Sequence, residues 1–248
     1  MKPLKIKNIE FNTGKPKIAV PIMFHNPSEI EEIFHHLKGY PYDVVEWRVD
    51  YLDDLSNETL LKSLEFIHQY LTKGLLLVTY RTVNQGGNKE ISEQDYIDIL
   101  TTLIESKQVD LIDIEYICVD KDTLIKLAHK NKVHVILSDH HFDHTPKYKL
   151  IKKNIKVMSK THADIVKVAY MPSNYSDVLN VMKATYKMRD KIKQPIISMS
   201  MSDIGKSSRV LSEMYGSVLT FGCVNESSAP GQIDAKNLNQ ILNKLHNM

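Results

Sequence analysis

The sequence predicts a single α/β domain, a (β/α)8 barrel of the TIM type, from three observations. Eight short, apolar, β-branched runs recur along the 248 residues. Each is mostly apolar on both faces, as parallel strands covered by helices are. Helix-like stretches alternate with them, which implies parallel βαβ units. Eight units in 248 residues average 248/8 = 31, and the total matches the roughly 250 residues usual for such a barrel. A doubly wound open sheet is the runner-up. Its nucleotide-binding members carry a Gly-rich first turn, and no GxGxxG or Walker pattern occurs here.

The elements are expected in the following order. Residues 1–16, MKPLKIKNIEFNTGKP, are polar, lack the apolar run of a signal peptide, and read as an N-terminal extension of a domain spanning 1–248. The first strand is expected at Lys17–Met23. Ser28 followed by Glu31 reads as a capping box opening a helix over Glu29–Leu37. Strand Val44–Val49 precedes helix Leu60–Leu71. Strand Leu75–Tyr80 precedes helix Tyr96–Glu105, which Ser92 and Asp95 open and whose Tyr96, Ile99, Leu100, Leu103 and Ile104 share one face. The strands Val109–Glu115, Val133–Ser138, Ile165–Tyr170, Ile196–Met201 and Ser217–Phe221 alternate with the helices Thr123–Asn131, Lys147–Thr161, Ser176–Asp190 and Ser207–Tyr215. Helix Asn237–Leu245 closes the series, with Leu238, Ile241, Leu242 and Leu245 on one face.

Composition excludes several classes. Apolar residues are 42% and charged residues 25%, with a net charge of +2. No basic excess points to nucleic acid, no like-charge run to a tail, and no apolar stretch is long enough to span a membrane. Cys118 and Cys223 stand far apart outside any CxxC pattern and read as reduced, buried thiols of a cytoplasmic protein.

In this barrel class chemistry sits at the carboxyl ends of the strands. The polar residues there are Glu46, Arg48 and Asp50, then Arg81, then Asp113 and Glu115. Ser138, Asp139 and His140 follow, then Lys167, then Ser198 and Ser200 between Met199 and Met201, and finally the loop Asn225–Gln232. Residues two apart on a strand share a face. Charges facing the helices would be buried at high cost, so Glu46/Arg48 and Asp113/Glu115 are expected to point into the barrel. The alternative is a salt-bridge ring that only closes the barrel.

Lys167 lies within Ile165-Val166-Lys167-Val168-Ala169. Burial disfavours the charged form of a lysine and frees an amine that can attack a ketone or aldehyde. A structural ion pair with Asp113 or Glu115 is the competing reading. The run Asp139-His140-His141-Phe142-Asp143-His144 suggests a metal at first sight, but its spacing fits no HExxH or Cys/His zinc pattern. One acid/base histidine with solvated neighbours is the preferred reading. Glu46 and Glu115 also suggest a glycosidase pair. That reading leaves Lys167 without a purpose, and a single Trp offers little for sugar rings.

Taken together, EWRVD (46–50), YRT with Gly86–Gly87, DIE (113–115), S-x-H (138–140), KVAYMP (167–172), ISMSMSDIG (197–205), SSRV (207–210) and TFG…SSAPGQI resemble the type I 3-dehydroquinate dehydratase family over residues 17–233. The resemblance implies a metal-free, cofactor-free lyase that dehydrates the small molecule 3-dehydroquinate within the shikimate pathway. It also implies a cytoplasmic enzyme and, as a possible assembly, a homodimer. By the same resemblance Lys167 is the Schiff-base lysine and His140 the catalytic histidine. Arg209, Ser228 and Gln232 hold the substrate carboxylate and neighbouring oxygens, and Glu46, Arg48 and Arg81 the ring hydroxyls. Met199, Met201 and Phe221 form the apolar wall, and Asp113 is an inner carboxylate. The chain departs from the pattern at Gln85, where many members carry a glutamate, and at Asp139 and His141. A Schiff-base aldolase and a non-catalytic binding barrel are the other classes considered. The Ser-rich segment 225–231 is expected to be a lid that orders over bound substrate.

Overall fold

A computed structural model describes residues 3–224 and 228–248. The chain opens with an antiparallel hairpin, β1 (Leu4–Ile6) and β2 (Ile9–Phe11). Eight parallel strands follow: β3 (Lys17–Ile22), β4 (Val44–Arg48), β5 (Leu75–Thr79), β6 (Leu111–Glu115), β7 (His134–His141), β8 (Ile165–Tyr170), β9 (Ile196–Ser200) and β10 (Leu219–Cys223). A two-residue strand, β11 (Ile233–Asp234), pairs with β10. The sheet runs in the order β11-β10-β3-β4-β5-β6-β7-β8-β9. Its two ends meet through a parallel bridge between Ile196 and Ser217. Val218 N–H donates to Ile196 O at 2.9 Å, and Lys17 N–H to Val218 O at 2.9 Å. The ring is thereby closed, and the expected single-domain barrel is what forms.

The helices α1 (Ile30–Leu37), α2 (Asn57–Tyr70), α3 (Glu93–Glu105), α4 (Lys121–Lys130), α5 (Tyr148–Met158), α6 (Tyr175–Met188), α7 (Lys206–Val210), α8 (Ser212–Tyr215) and α9 (Ala235–His246) surround it. Two sequence expectations are corrected here. The first cap is Asn26, not Ser28: Asn26 accepts from Ser28 N–H and Glu29 reaches back to Asn26 N–H. Pro27 occupies the first helical position, where its missing N–H costs nothing. The stretch 207–215 is two short helices instead of one, broken at Leu211.

Strand alternation sorts the core into two shells. Val45, Trp47, Leu76, Val78, Ile112, Ile114, Val166 and Val168 pack outward against the helices. Their neighbours Val44, Leu75, Leu77, Leu111, Ile136, Ile165 and Ile197 pack inward as one apolar plug. Ile6 and Phe11 of the hairpin join that plug from below. The polar extension thus carries two apolar residues, Ile6 and Phe11, that cover the amino-terminal mouth. Going toward the carboxyl ends, the inward positions change from apolar to charged, and that change places the site.

Candidate active site

Lys167 sits one inward step above Ile165. It is 4% exposed. Its Nζ donates to Asp113 Oδ2 at 3.0 Å and lies 3.8 Å from Glu46 Oε1. The ring of Phe221, 4.8 Å from Nζ, covers its other side. Lys167 therefore makes the ion pair with Asp113 that the competing reading expected, and the two carboxylates hold its amine in place under the cavity.

Asp113 is fully buried. It also binds Arg81 Nη2 at 2.9 Å and accepts from Ser138 Oγ at 2.5 Å. Burial alone would raise its pKa, but the Arg81 and Lys167 cations outweigh burial and hold the carboxyl well below its usual range. Arg81 donates further to Glu115 at 3.0 Å and Ser138 at 3.0 Å. Burial opposes its charge; Asp113 and Glu115 overcome this, and its pKa is raised. Glu46 accepts from Thr79 Oγ1 at 2.9 Å. Asp50 takes the Arg48 guanidinium with two contacts, at 2.8 and 2.7 Å, and accepts the backbone N–H of Arg81 and Asn88. That carboxylate therefore ties Arg48 to the loop after β5. Buried charges need this degree of pairing to be tolerated.

β7 runs through His141, three residues beyond the expected strand end. The alternation therefore continues across the histidines. His140 faces the cavity, while Asp139 faces the helices and accepts from Tyr170 Oη at 2.7 Å and Asn154 Nδ2 at 3.2 Å. The expectation that outward charges would be avoided fails at Asp139, because these donors satisfy it. His140 is held by the Gln85 amide oxygen, 2.9 Å from its backbone N and 3.1 Å from Nδ1. Burial first, then the Arg81 and Lys167 cations, push its pKa well below the usual 6.5. The ring is therefore neutral at physiological pH.

Ser198 and Ser200 lie on the helix side of β9. Ser198 meets Thr185 Oγ1 at 2.7 Å, and Ser200 N–H donates to Ser208 Oγ at 2.9 Å. The inward residues are Met199 and Met201. Arg209 is 1% exposed. Among the described residues it meets no carboxylate. Its Nη2 donates to Pro230 O at 3.1 Å, Nη1 approaches Met199 Sδ at 3.6 Å, and Nε is buried without a partner. Burial lowers its pKa to about 10, still cationic at pH 7. A buried arginine with no anion among the described residues has the geometry to receive a carboxylate. Ser228 and Gln232 bond each other across the loop end, at 3.0 Å in both directions.

These residues line one cavity at the carboxyl end of the barrel. Glu46, Arg48, Arg81, His140, Lys167, Met199, Met201, Arg209, Phe221, Ser228 and Gln232 all face it, and Asp113 lies directly beneath. Sequence reasoning missed Phe142, Gly86 and Ala169 on its wall. Phe142 could have been found once β7 was extended, because it follows the strand end. Gly86 sits at φ +84°, and a Cβ there would lie 2.2 Å from Phe142 Cε2. The ring occupies the space that only glycine leaves. Outside the cavity, His141, Asp143 and His144 bring one polar atom each to within 4.8 Å of one another. Of the expected lid, residues 225–227 lie outside the described residues.

A family model for type I 3-dehydroquinase matches residues 18–248. The 3-dehydroquinate dehydratase of Listeria innocua is 38% identical over 249 residues, covering 99% of both chains. That of Clostridioides difficile is 40% identical, covering 98% of this chain and 97% of that protein. A crystal structure of the type I enzyme from Clostridium difficile, carrying covalently modified comenic acid, superposes with a TM-score of 0.95 at 39% identity, over 99% of this chain and 98% of that one. The Geobacillus kaustophilus enzyme gives 0.95 at 27% identity, over 99% and 97%.

Proposed function

We propose, for a chain that belongs to the type I 3-dehydroquinase family, that it dehydrates 3-dehydroquinate to 3-dehydroshikimate through a Schiff base on Lys167, with His140 as general acid and base. The dehydratase activity and its place in the shikimate pathway follow from the family. The observation that carries the mechanism is a buried lysine, 3.0 Å from Asp113, that shares one cavity with a half-buried, neutral histidine.

Loss of water from this hydroxy-ketone needs a weakly acidic proton removed next to the ketone. An iminium formed by Lys167 supplies the electron sink. The amine attacks the carbonyl carbon, water leaves, and the C–H electrons can then flow toward the iminium nitrogen. His140 takes the C–H proton and delivers it to the departing hydroxyl, and it takes and returns protons during addition and hydrolysis. Asp113 and Glu46 balance the iminium charge, which Arg48 and Arg81 would otherwise oppose. Arg209 offers a planar fork to the substrate carboxylate and so sets the ring against Lys167. Ser228 and Gln232 are proposed to bind neighbouring oxygens once substrate replaces their mutual hydrogen bonds. Covalently modified comenic acid in the Clostridium difficile structure supports a site able to form covalent bonds.

An assay with 3-dehydroquinate tests the reading: the conjugated enone of the product should accumulate. Arg209→Ala should raise KM ~10- to 100-fold with a smaller change in kcat, the loss of a charged hydrogen-bonded pair. An unchanged KM removes Arg209 from the carboxylate site. Because Lys167 and His140 supply the chemistry, EDTA is expected to leave kcat/KM unchanged. Activity lost to EDTA and restored by zinc contradicts the Schiff-base mechanism.

No helix among the described residues is long and apolar enough to cross a membrane. A cytoplasmic location is supported by the unpaired Cys118 and Cys223. Assembly as a homodimer is supported by the exposed Tyr175, Leu179 and Met214.

A further inference from the structure

The run from Asp139 to His144 divides at the barrel wall. His140 turns into the cavity, while His141, Asp143 and His144 gather outside it, each bringing one polar atom to within 4.8 Å of the others. His144 Nδ1 lies 2.9 Å from Asp143 Oδ1. Two ligand atoms that share one zinc ion, each about 2 Å from it, stand roughly 3 Å apart. The His141 ring is set edge-on to that of His144, with centroids 4.8 Å apart. Its Nε2 lies 3.4 Å from Asp139 Oδ1, which leaves Nδ1 as the nitrogen open to a further partner. The remaining gap closes by side-chain rotation in solvent, because Asp143 and His144 are both exposed. A second observation points the same way. Asp139 is 7% exposed. Its side-chain partners are Tyr170 Oη, Asn154 Nδ2 and His141, so among the described residues no lysine or arginine balances its charge. A buried carboxylate calls for a cation. A metal ion on the other nitrogen of His141 supplies one through the ring, and the carboxylate in turn fixes the tautomer of the ligating histidine and raises its basicity.

We propose that His141, Asp143 and His144 form a site for a zinc ion at the end of β7, with Asp139 as the carboxylate that orients His141. Two imidazoles and one carboxylate suit zinc, whereas magnesium and calcium take oxygen ligands. Three protein ligands leave a position for water. The ion takes no part in the reaction: it lies outside the cavity, and Lys167 and His140 keep their roles without it. What it changes is the end of the strand. His141 and Asp143 flank Phe142, whose ring lines the cavity against Gly86. An ion gripping both neighbours ties that part of the wall to the loop that follows. Histidines meet an aspartate at a second place, where His129 and His134 approach Asp164 at 3.0 and 3.4 Å. There each ring takes a different oxygen of the carboxylate, and one oxygen also accepts the Val135 N–H at 2.8 Å. That is a hydrogen-bonded group around an aspartate, and it serves as the control.

Calorimetric titration of the full-length, tag-free enzyme with zinc tests this. One zinc ion should bind per chain and raise the melting temperature, as a ligand of the folded state does. His144→Ala and Asp143→Ala should each abolish saturable binding and leave kcat/KM unchanged, which shows that the fold is intact. Asp139→Asn keeps a hydrogen-bonding group but removes the charge, and should weaken binding ~10-fold or more. His129→Ala should leave the affinity as it is. The absence of saturable binding at one equivalent overturns the proposal. Binding that survives both His144→Ala and Asp143→Ala, or that only His129→Ala removes, overturns it as well. Failure of the Schiff-base reading is a separate outcome, seen as the absence of an adduct on Lys167 while the zinc titration is as stated.

Discussion

Lys167→Ala is expected to lower kcat on the order of 10⁴-fold or more, because removing a nucleophile removes the covalent route entirely. The fold should survive. Breaking a buried ion pair costs about 3–5 kcal/mol when the partner is left unpaired. Here Asp113 keeps Arg81 at 2.9 Å and Ser138 at 2.5 Å, and Glu46 keeps Thr79. The stability loss should therefore fall below that range. Circular dichroism and thermal unfolding check the fold, and steady-state kinetics check the activity. A folded variant with substantial turnover would remove Lys167 from the chemistry.

His140→Ala is expected to lower kcat by ~10²–10⁴-fold, the usual contribution of a placed acid and base. The variant keeps Lys167, so it should still form an adduct, slowly, and should release product more slowly still. The pH profile carries an independent sign. The base must be uncharged, and burial with the nearby cations lowers the His140 pKa. Activity of the unaltered enzyme should therefore persist below pH 6.5, the ordinary midpoint of histidine, and fall only as the depressed pKa is passed. An acidic limb centred above 6.5 would mean that the imidazole is stabilised in its charged form, contrary to its surroundings. Retention of nearly full turnover in the variant would assign the proton transfers elsewhere.

The fold was readable because eight apolar runs and their helices repeat at an even spacing, which is the periodicity that burial imposes. The inward residues could be placed by counting in twos, and Glu46, Asp113 and Lys167 lie where that count puts them. Counting stopped too early at Ser138. Histidine and aspartate look like loop residues, yet β7 continues through them because Asp139 finds Tyr170 and Asn154 among the helices. A satisfied buried aspartate leaves no mark on hydrophobic periodicity. Arg209 lies on the short helix α7 and Gln232 on the loop before β11, where position depends on tertiary contacts, and only the family resemblance pointed to them. Gln85 read as a missing glutamate. Its geometry shows instead an acceptor that a neutral amide supplies as well as a carboxylate does, without the charge. The hairpin before Lys17 was unread because Ile6 and Phe11 are separate apolar residues in a polar stretch.

The measurement that bears most directly on the central claim is mass spectrometry after borohydride reduction in the presence of 3-dehydroquinate. Borohydride reduces an iminium to a stable amine, so an adduct is retained only where a Schiff base forms. The account predicts a single added mass on the peptide containing Lys167, absent without substrate and absent in Lys167→Ala. A mass on a different lysine, or turnover at full rate with no trapped mass at all, would contradict it.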